Sequence, residues 1–312
     1  MGHWTKALAA SALCGLLAAP AAAEDWYPSK YGADDQLGAA NLLSPAKVLE
    51  AAKLVTEGKV YRLGVPVGRS TPAFPPRSLA VTILMPNQYR TSSYGSNKMT
   101  YLDDMFTGWL GIGTQIDSLA HLGIDGVFYN GNKAEDFVKV TGVTKLGIEG
   151  IPPIVTRGVL IDMAAYKGVD MMKAGEIISV DDIKGAMEKQ GVTVGKGDVV
   201  IFHTGWLPML EQDPAAYAAG EPGINGKSAE YLASLEVVAV GADTWGLEAV
   251  PFADDQAYDG HQVLLAKNGV YILETIDTSE LVKDGVKEFM FTLGQPLYTG
   301  AVQAIINPLA IR

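Results

Sequence analysis

From residue 158 onward the chain alternates at short intervals between strand-like and helix-like segments, and this alternation constrains its fold more than any other feature. Residues 158–163 (GVLIDM) are strand-like. Ser179 caps a helix over Val180–Gln190, and 198–203 (DVVIFH) is the next strand. A helix around 229–235, a strand at 237–241, a helix at 261–267 and a strand at 270–274 follow. A helix at Ser279–Lys283 and a strand at Glu288–Leu293 complete the series. Strands separated by helices of about ten residues predict an α/β domain with a mixed sheet.

The first half is less regular. Ser44 and Pro45 open an amphipathic helix over 46–54 that stops at Gly58, and a strand is expected at 60–65. Residues 66–79 hold four prolines and little periodicity, as expected of a loop that covers something. Residues 79–85 (LAVTILM) predict a buried strand, and 98–106 a further one after the polar loop 87–97. At the N-terminus, Lys6, the apolar stretch 7–19 and Ala21-Ala22-Ala23 form the three parts of a secretory signal over residues 1–23. That stretch is shorter than the ~20 residues a spanning helix needs. The expected protein is therefore periplasmic or secreted, free of the membrane after cleavage, with one domain over 24–312 that begins in an N-terminal arm. It would lack the chain's one cysteine, Cys14, so thiolate chemistry is excluded. A net charge of −11 with no basic run excludes a nucleic-acid surface.

No phosphate-binding G-x-x-x-x-G-K-[ST], no G-x-S-x-G elbow, no H-E-x-x-H and no dinucleotide G-x-G-x-x-G is present. Chemistry must come from scarcer residues. Beyond the signal only His121, His203 and His261 remain. In the segment 113–121 (GTQIDSLAH), Gln115 and Asp117 alternate as on a strand and share a face, with His121 four residues further on. Such a segment gathers an amide oxygen, a carboxylate and an imidazole around one point; alternatively, Asp117 caps a following helix and His121 lies in its first turn. His261 and Glu274, separated by one helix and one strand, can share a ligand, or Glu274 is solvated. His203 ends a strand, where it is a site residue or a buried histidine bonded to backbone. Asp243 and Glu248 flank Trp245 after another strand, as ligands or as solvated acids.

The segment 113–121 resembles the G-T-H-x-D-x-P-x-H signature of the cyclase family, which includes bacterial kynurenine formamidase and isatin hydrolase. More specifically, it resembles a branch of longer members with T-Q-x-D-x-L-x-H. Further matches run in order through 31–41, 157–162, 197–206, the block from His261 to Glu274, and 300–311. The resemblance implies a swivelling β/β/α fold, with a mixed, partly rolled sheet, outer helices, and assembly into homodimers or homotetramers. It implies metal-dependent hydrolysis of a small cyclic or aryl amide, or of a lactone. Carried across, Asp117 falls on the shared metal-ligand carboxylate, His121 on the acid/base, and His261 with Glu274 on further ligand positions. The family's H-x-G-T-H differs here, because Gly111 and Gln115 stand at the two histidine positions. The expected metal set is Gln115, Asp117, His261 and Glu274, two carboxylates against one divalent ion, manganese or zinc. Two alternatives accompany it: an exported small-molecule binding protein with a degraded metal site, and a metal-free enzyme using His121 and Asp117 as a general-base pair. Trp109, Trp206 and Trp245 are candidates for lining a pocket.

Overall fold

The computed structural model describes residues 26–84 and 95–312; the signal segment and Cys14 lie outside them. The main sheet takes β1 (Val60–Arg62), β4 (Gln115–Asp117), β5 (Ile154–Asp162), β6 (Val199–His203), β7 (Ala239–Ala242) and β8 (Tyr271–Glu274). It is completed by β9 (Glu288–Leu293), β10 (Gln303–Ile305) and β11 (Leu309–Ile311). Their order across the sheet is β1-β11-β9-β5-β6-β7-β8-β4-β10. Neighbours from β5 to β8 are parallel, and β4 and β10 extend that edge antiparallel. The parallel strands are apolar along their length, VVIF and AVGA and YIL, because both faces are covered. Where β9 crosses β5, Phe289 pairs with Gly158, and its ring occupies the space a Cβ there would fill. The sheet is mixed and curled, with helices packed outside it, as the resemblance implies.

Helices stand where their caps place them. Ser44 Oγ accepts from Lys47 N at the head of Pro45–Ala52, and Ser179 with Asp182 forms a reciprocal capping box on Val180–Gln190. Gly226–Ser234 is the next long helix. The helix expected over 261–267 is instead a short turn, Asp259–His261, running into a wider π-helical segment, Gln262–Lys267. The arm from residue 26 is fastened by Asn130, whose amide accepts from Ser29 N and donates to three backbone carbonyls between Gly32 and Asp35. No helix of the described residues is long and apolar enough to cross a membrane.

Residues 79–84 differ from the buried strand expected over 79–85, whose last residue lies outside the described ones. β2 (Leu79–Leu84) pairs only with β3 (Asp103–Gly108), a strand beginning later than the predicted 98, and the two form a separate antiparallel ribbon. Only Leu79 is buried; Val81, Ile83, Met105 and Phe106 are each about half exposed. An apolar run without alternation gives no indication of which face is covered, so the sequence reads as core. The first strand is also shorter than predicted, ending at Arg62.

Candidate metal centre

The edge trio β8-β4-β10 builds one wall of polar side chains from register alone. Glu274 stands directly opposite Gln115, and Gln303 directly opposite Asp117. Directly opposed residues share a face, as do residues two apart, so all four side chains lie together. Gln115 Nε2 donates to Glu274 Oε2 at 2.5 Å, and Gln303 Nε2 donates to Asp117 Oδ1 at 2.8 Å. All four are buried, Asp117 completely.

His261 reaches this wall from the short turn after Tyr258. Its Nδ1 faces both oxygens of Glu248 at 2.8 Å, and its backbone N–H donates to the same carboxylate. With only acceptors before it, Nδ1 carries a proton, and Nε2 turns toward Asp117 Oδ2 at 3.5 Å and Glu274 Oε1 at 3.3 Å. No helix follows Asp117. Instead the chain turns at Ser118, where His121 N donates to Ser118 O, and His121 Nε2 comes to 3.8 Å from Asp117 Oδ2. Gln115, Asp117, His121, His261 and Glu274 are therefore brought together.

The electrostatics call for a cation. Burial alone would lower the His261 imidazole, but Glu248, Asp117 and Glu274 hold it well above its ordinary value. Burial and the adjacent Asp117 push Glu274 up to about 8. Asp117 is held below its ordinary value despite its burial, by His121, His261 and Gln303. Its Oδ2 is fully enclosed and has no hydrogen-bond partner, an arrangement that costs stability unless a positive charge faces it. Asp117, His121 and His261 offer ligand atoms all within 4.8 Å of one another. Tetrahedral ligands at about 2.0–2.1 Å from zinc stand roughly 3.3 Å apart, close to the spacings found here. The residues fit a divalent cation, and Glu248 behind His261 supplies the carboxylate that orients a ligating imidazole.

A cavity of about 130 Å³ opens beside the cluster, lined by Phe74, Arg77, His121, Trp245, Tyr258 and Gln303 among others. The proline-rich loop thus does cover something, through Phe74 and Arg77. Of the three tryptophans considered, only Trp245 lines this cavity; Trp206 is buried elsewhere and Trp109 is exposed at the end of the ribbon. Glu248, Asp243 and Glu274 are buried, not solvated. His203 is bonded to side chains rather than backbone, with Nδ1 2.7 Å from Thr278 Oγ1 and 3.3 Å from Asp243 Oδ2. Asp243 also accepts from Thr204 and Gly205, which makes it the lock of the turn after β6. Gln303, Arg77 and the pairing of Glu248 with His261 are the parts that sequence reading missed. Gln303 had only its alternation in a three-residue strand to mark it.

A family model described as "Putative cyclase" matches residues 61–249. A solved structure described as a novel cyclase is 31% identical over 91% of this chain and 98% of its own, with a TM-score of 0.83. Isatin hydrolase A from Ralstonia solanacearum is 20% identical, covering 86% of this chain and 98% of its own, with a TM-score of 0.62. A predicted metal-dependent hydrolase from Bacillus stearothermophilus is 19% identical over 81% of this chain and 97% of its own, with a TM-score of 0.54. These last two share the fold. No curated protein matches. The family match over most of the chain, together with the gathered Asp117, His121, His261 and Glu274, leads to one assignment: the chain belongs to the cyclase family.

Proposed function

We propose that the protein is an exported, metal-dependent hydrolase that opens a small cyclic or aryl amide or a lactone, and that it works as a homo-oligomer. The observation that carries the reading is the enclosed, unpartnered Asp117 Oδ2 facing two imidazoles. Asp117, His261 and Glu274 hold a zinc or manganese ion, with Gln115 at its side. When bound, such an ion polarises a carbonyl and lowers the pKa of a water molecule toward neutrality.

The remaining chemistry belongs to the chain. Glu248 fixes the tautomer and orientation of His261. Gln115 donates to Glu274 and, at 3.5 Å, to Asp117, while Gln303 donates to Asp117, so the two amides hold both carboxylates in place. His121 borders the cavity; burial lowers its imidazole below the ordinary value, which outweighs the opposing pull of Asp117. It is therefore neutral near pH 7, able to take a proton from the attacking water and return it to the leaving nitrogen or oxygen. Phe74, Trp245 and Tyr258 give the cavity an aromatic side suited to a flat substrate. The isatin hydrolases with this fold support a cyclic amide as the substrate type. Residues 1–23 support export, and the exposed ribbon supports assembly with further copies.

Asp117→Ala should lose both bound metal, measured by elemental analysis, and turnover on a panel of esters, amides and lactones. His121→Asn should keep the metal and lose about 10²–10⁴ in rate. Unchanged turnover in Asp117→Ala would remove the proposal, and wild-type protein without metal but with tight ligand capture would favour the binding-protein alternative.

A further inference from the structure

Beside the acidic cluster stands one cationic side chain that the hydrolase reading does not employ. Among the described residues lining the cavity, Arg77 is the only lysine or arginine. A turn fixes it, with Arg77 N donating to Phe74 O, so the guanidinium and the Phe74 ring are presented by the same bend. Its Nη1 donates to Gly111 O at 2.9 Å, the one hydrogen bond its side chain makes among the described residues. A guanidinium has five N–H donors, so most of the fork remains available.

Gly111 makes the placement possible. A Cβ there would stand 2.5 Å from Gln303 Oε1 and 2.7 Å from Arg77 Nη1, so the missing side chain is the space these two groups occupy. Phe74 and Trp245 both line the cavity and pack against each other, with ring centroids 5.8 Å apart, so their joined faces make one aromatic side of it. At about 130 Å³ the space approaches the ~150 Å³ that admits one benzene ring. An anion entering here meets Glu274, with the buried Asp117 and Glu248 behind it, and is repelled unless a cation faces it. The planar anion that matches a guanidinium fork is a carboxylate.

We propose that Arg77 is the carboxylate-binding residue of this site, and that the substrates are one-ring aryl amides or lactones whose carboxylate product it holds. The word substrate rests on the hydrolase reading; the carboxylate site does not. In that reaction water adds across the acyl bond. A C–O bond forms, the C–N or C–O bond to the leaving group breaks, one proton goes to the leaving atom, and the new acid ionises to the carboxylate that Arg77 takes.

The test is equilibrium binding of benzoate and of acetophenone, a neutral analogue with no hydrolysable bond, to metal-loaded protein, followed by tryptophan fluorescence or calorimetry. Wild type should bind benzoate at least tenfold tighter than acetophenone. Arg77→Gln should lose that preference while keeping its melting temperature, metal content and acetophenone affinity, and Arg77→Lys should restore part of it. Equal benzoate affinity in wild type and Arg77→Gln, or no preference in wild type, would overturn the proposal. Turnover on the ester and amide panel separates the two claims: Arg77-dependent benzoate binding without turnover removes the hydrolase reading alone, and turnover without benzoate preference removes this one alone.

Discussion

At the scale of single residues, histidine environments decide what each imidazole does. His261 is buried and His203 partly buried, each beside a carboxylate, but Nε2 of His261 looks into a cluster of ligand atoms, whereas His203 joins Asp243 behind the turn after β6. For His203, burial alone would lower the imidazole, and Asp243, reinforced by Asp162 and Asp277, raises it overall. The folded protein therefore binds this proton more tightly than the unfolded chain. The resulting stabilisation is complete below about pH 6.5 and is lost as pH rises through the higher folded value. Melting temperatures recorded from pH 6 to 9 should fall more steeply for wild type than for His203→Asn. Parallel curves would show that Asp243 does not act through this proton.

At the scale of elements, the ribbon of β2 and β3 is the piece least explained by the single chain. A two-stranded ribbon is marginal in water by itself, and this one exposes Val81, Ile83, Met105 and Phe106 together. Apolar patches of this kind mark interaction surfaces. If the proposed homo-oligomer forms through it, Ile83→Lys with Phe106→Lys should shift the mass seen by light scattering to that of one protomer, with metal content unchanged. A multiple-chain mass in the double variant would place the interface elsewhere. The ribbon also shows where sequence reading stops. Val180–Gln190 was legible because its capping residues are local, and Glu288–Leu293 because it alternates. Gln115 and Asp117 were legible as a pair for the same reason. That Glu274 faces Gln115, and Gln303 faces Asp117, depends on strand register across 159 and 186 residues, which no local pattern encodes. Arg77 was hidden in the proline-rich loop, where periodicity carries no information.

At the scale of the whole molecule, the site draws on segments that only the completed sheet brings together. β4 comes early in the chain, yet it is inserted between β8 and β10 from the late part. The proposed ion would bind the folded state alone, so its removal should lower stability by RT ln(1 + [M]/Kd), ~2.7 kcal/mol at a hundredfold excess over Kd. A chelator should therefore lower the melting temperature by several degrees, and Asp117→Ala should be insensitive to it. Equal chelator sensitivity in both would place the ion elsewhere. The inserted β4 has one more consequence. An ion held by Asp117 and Glu274 closes a loop of more than 150 residues, in the manner of a removable cross-link. In a protein with no cysteine beyond position 14, that staple would take the place a disulfide has in many secreted proteins, and it would be set by metal supply instead of by oxidation.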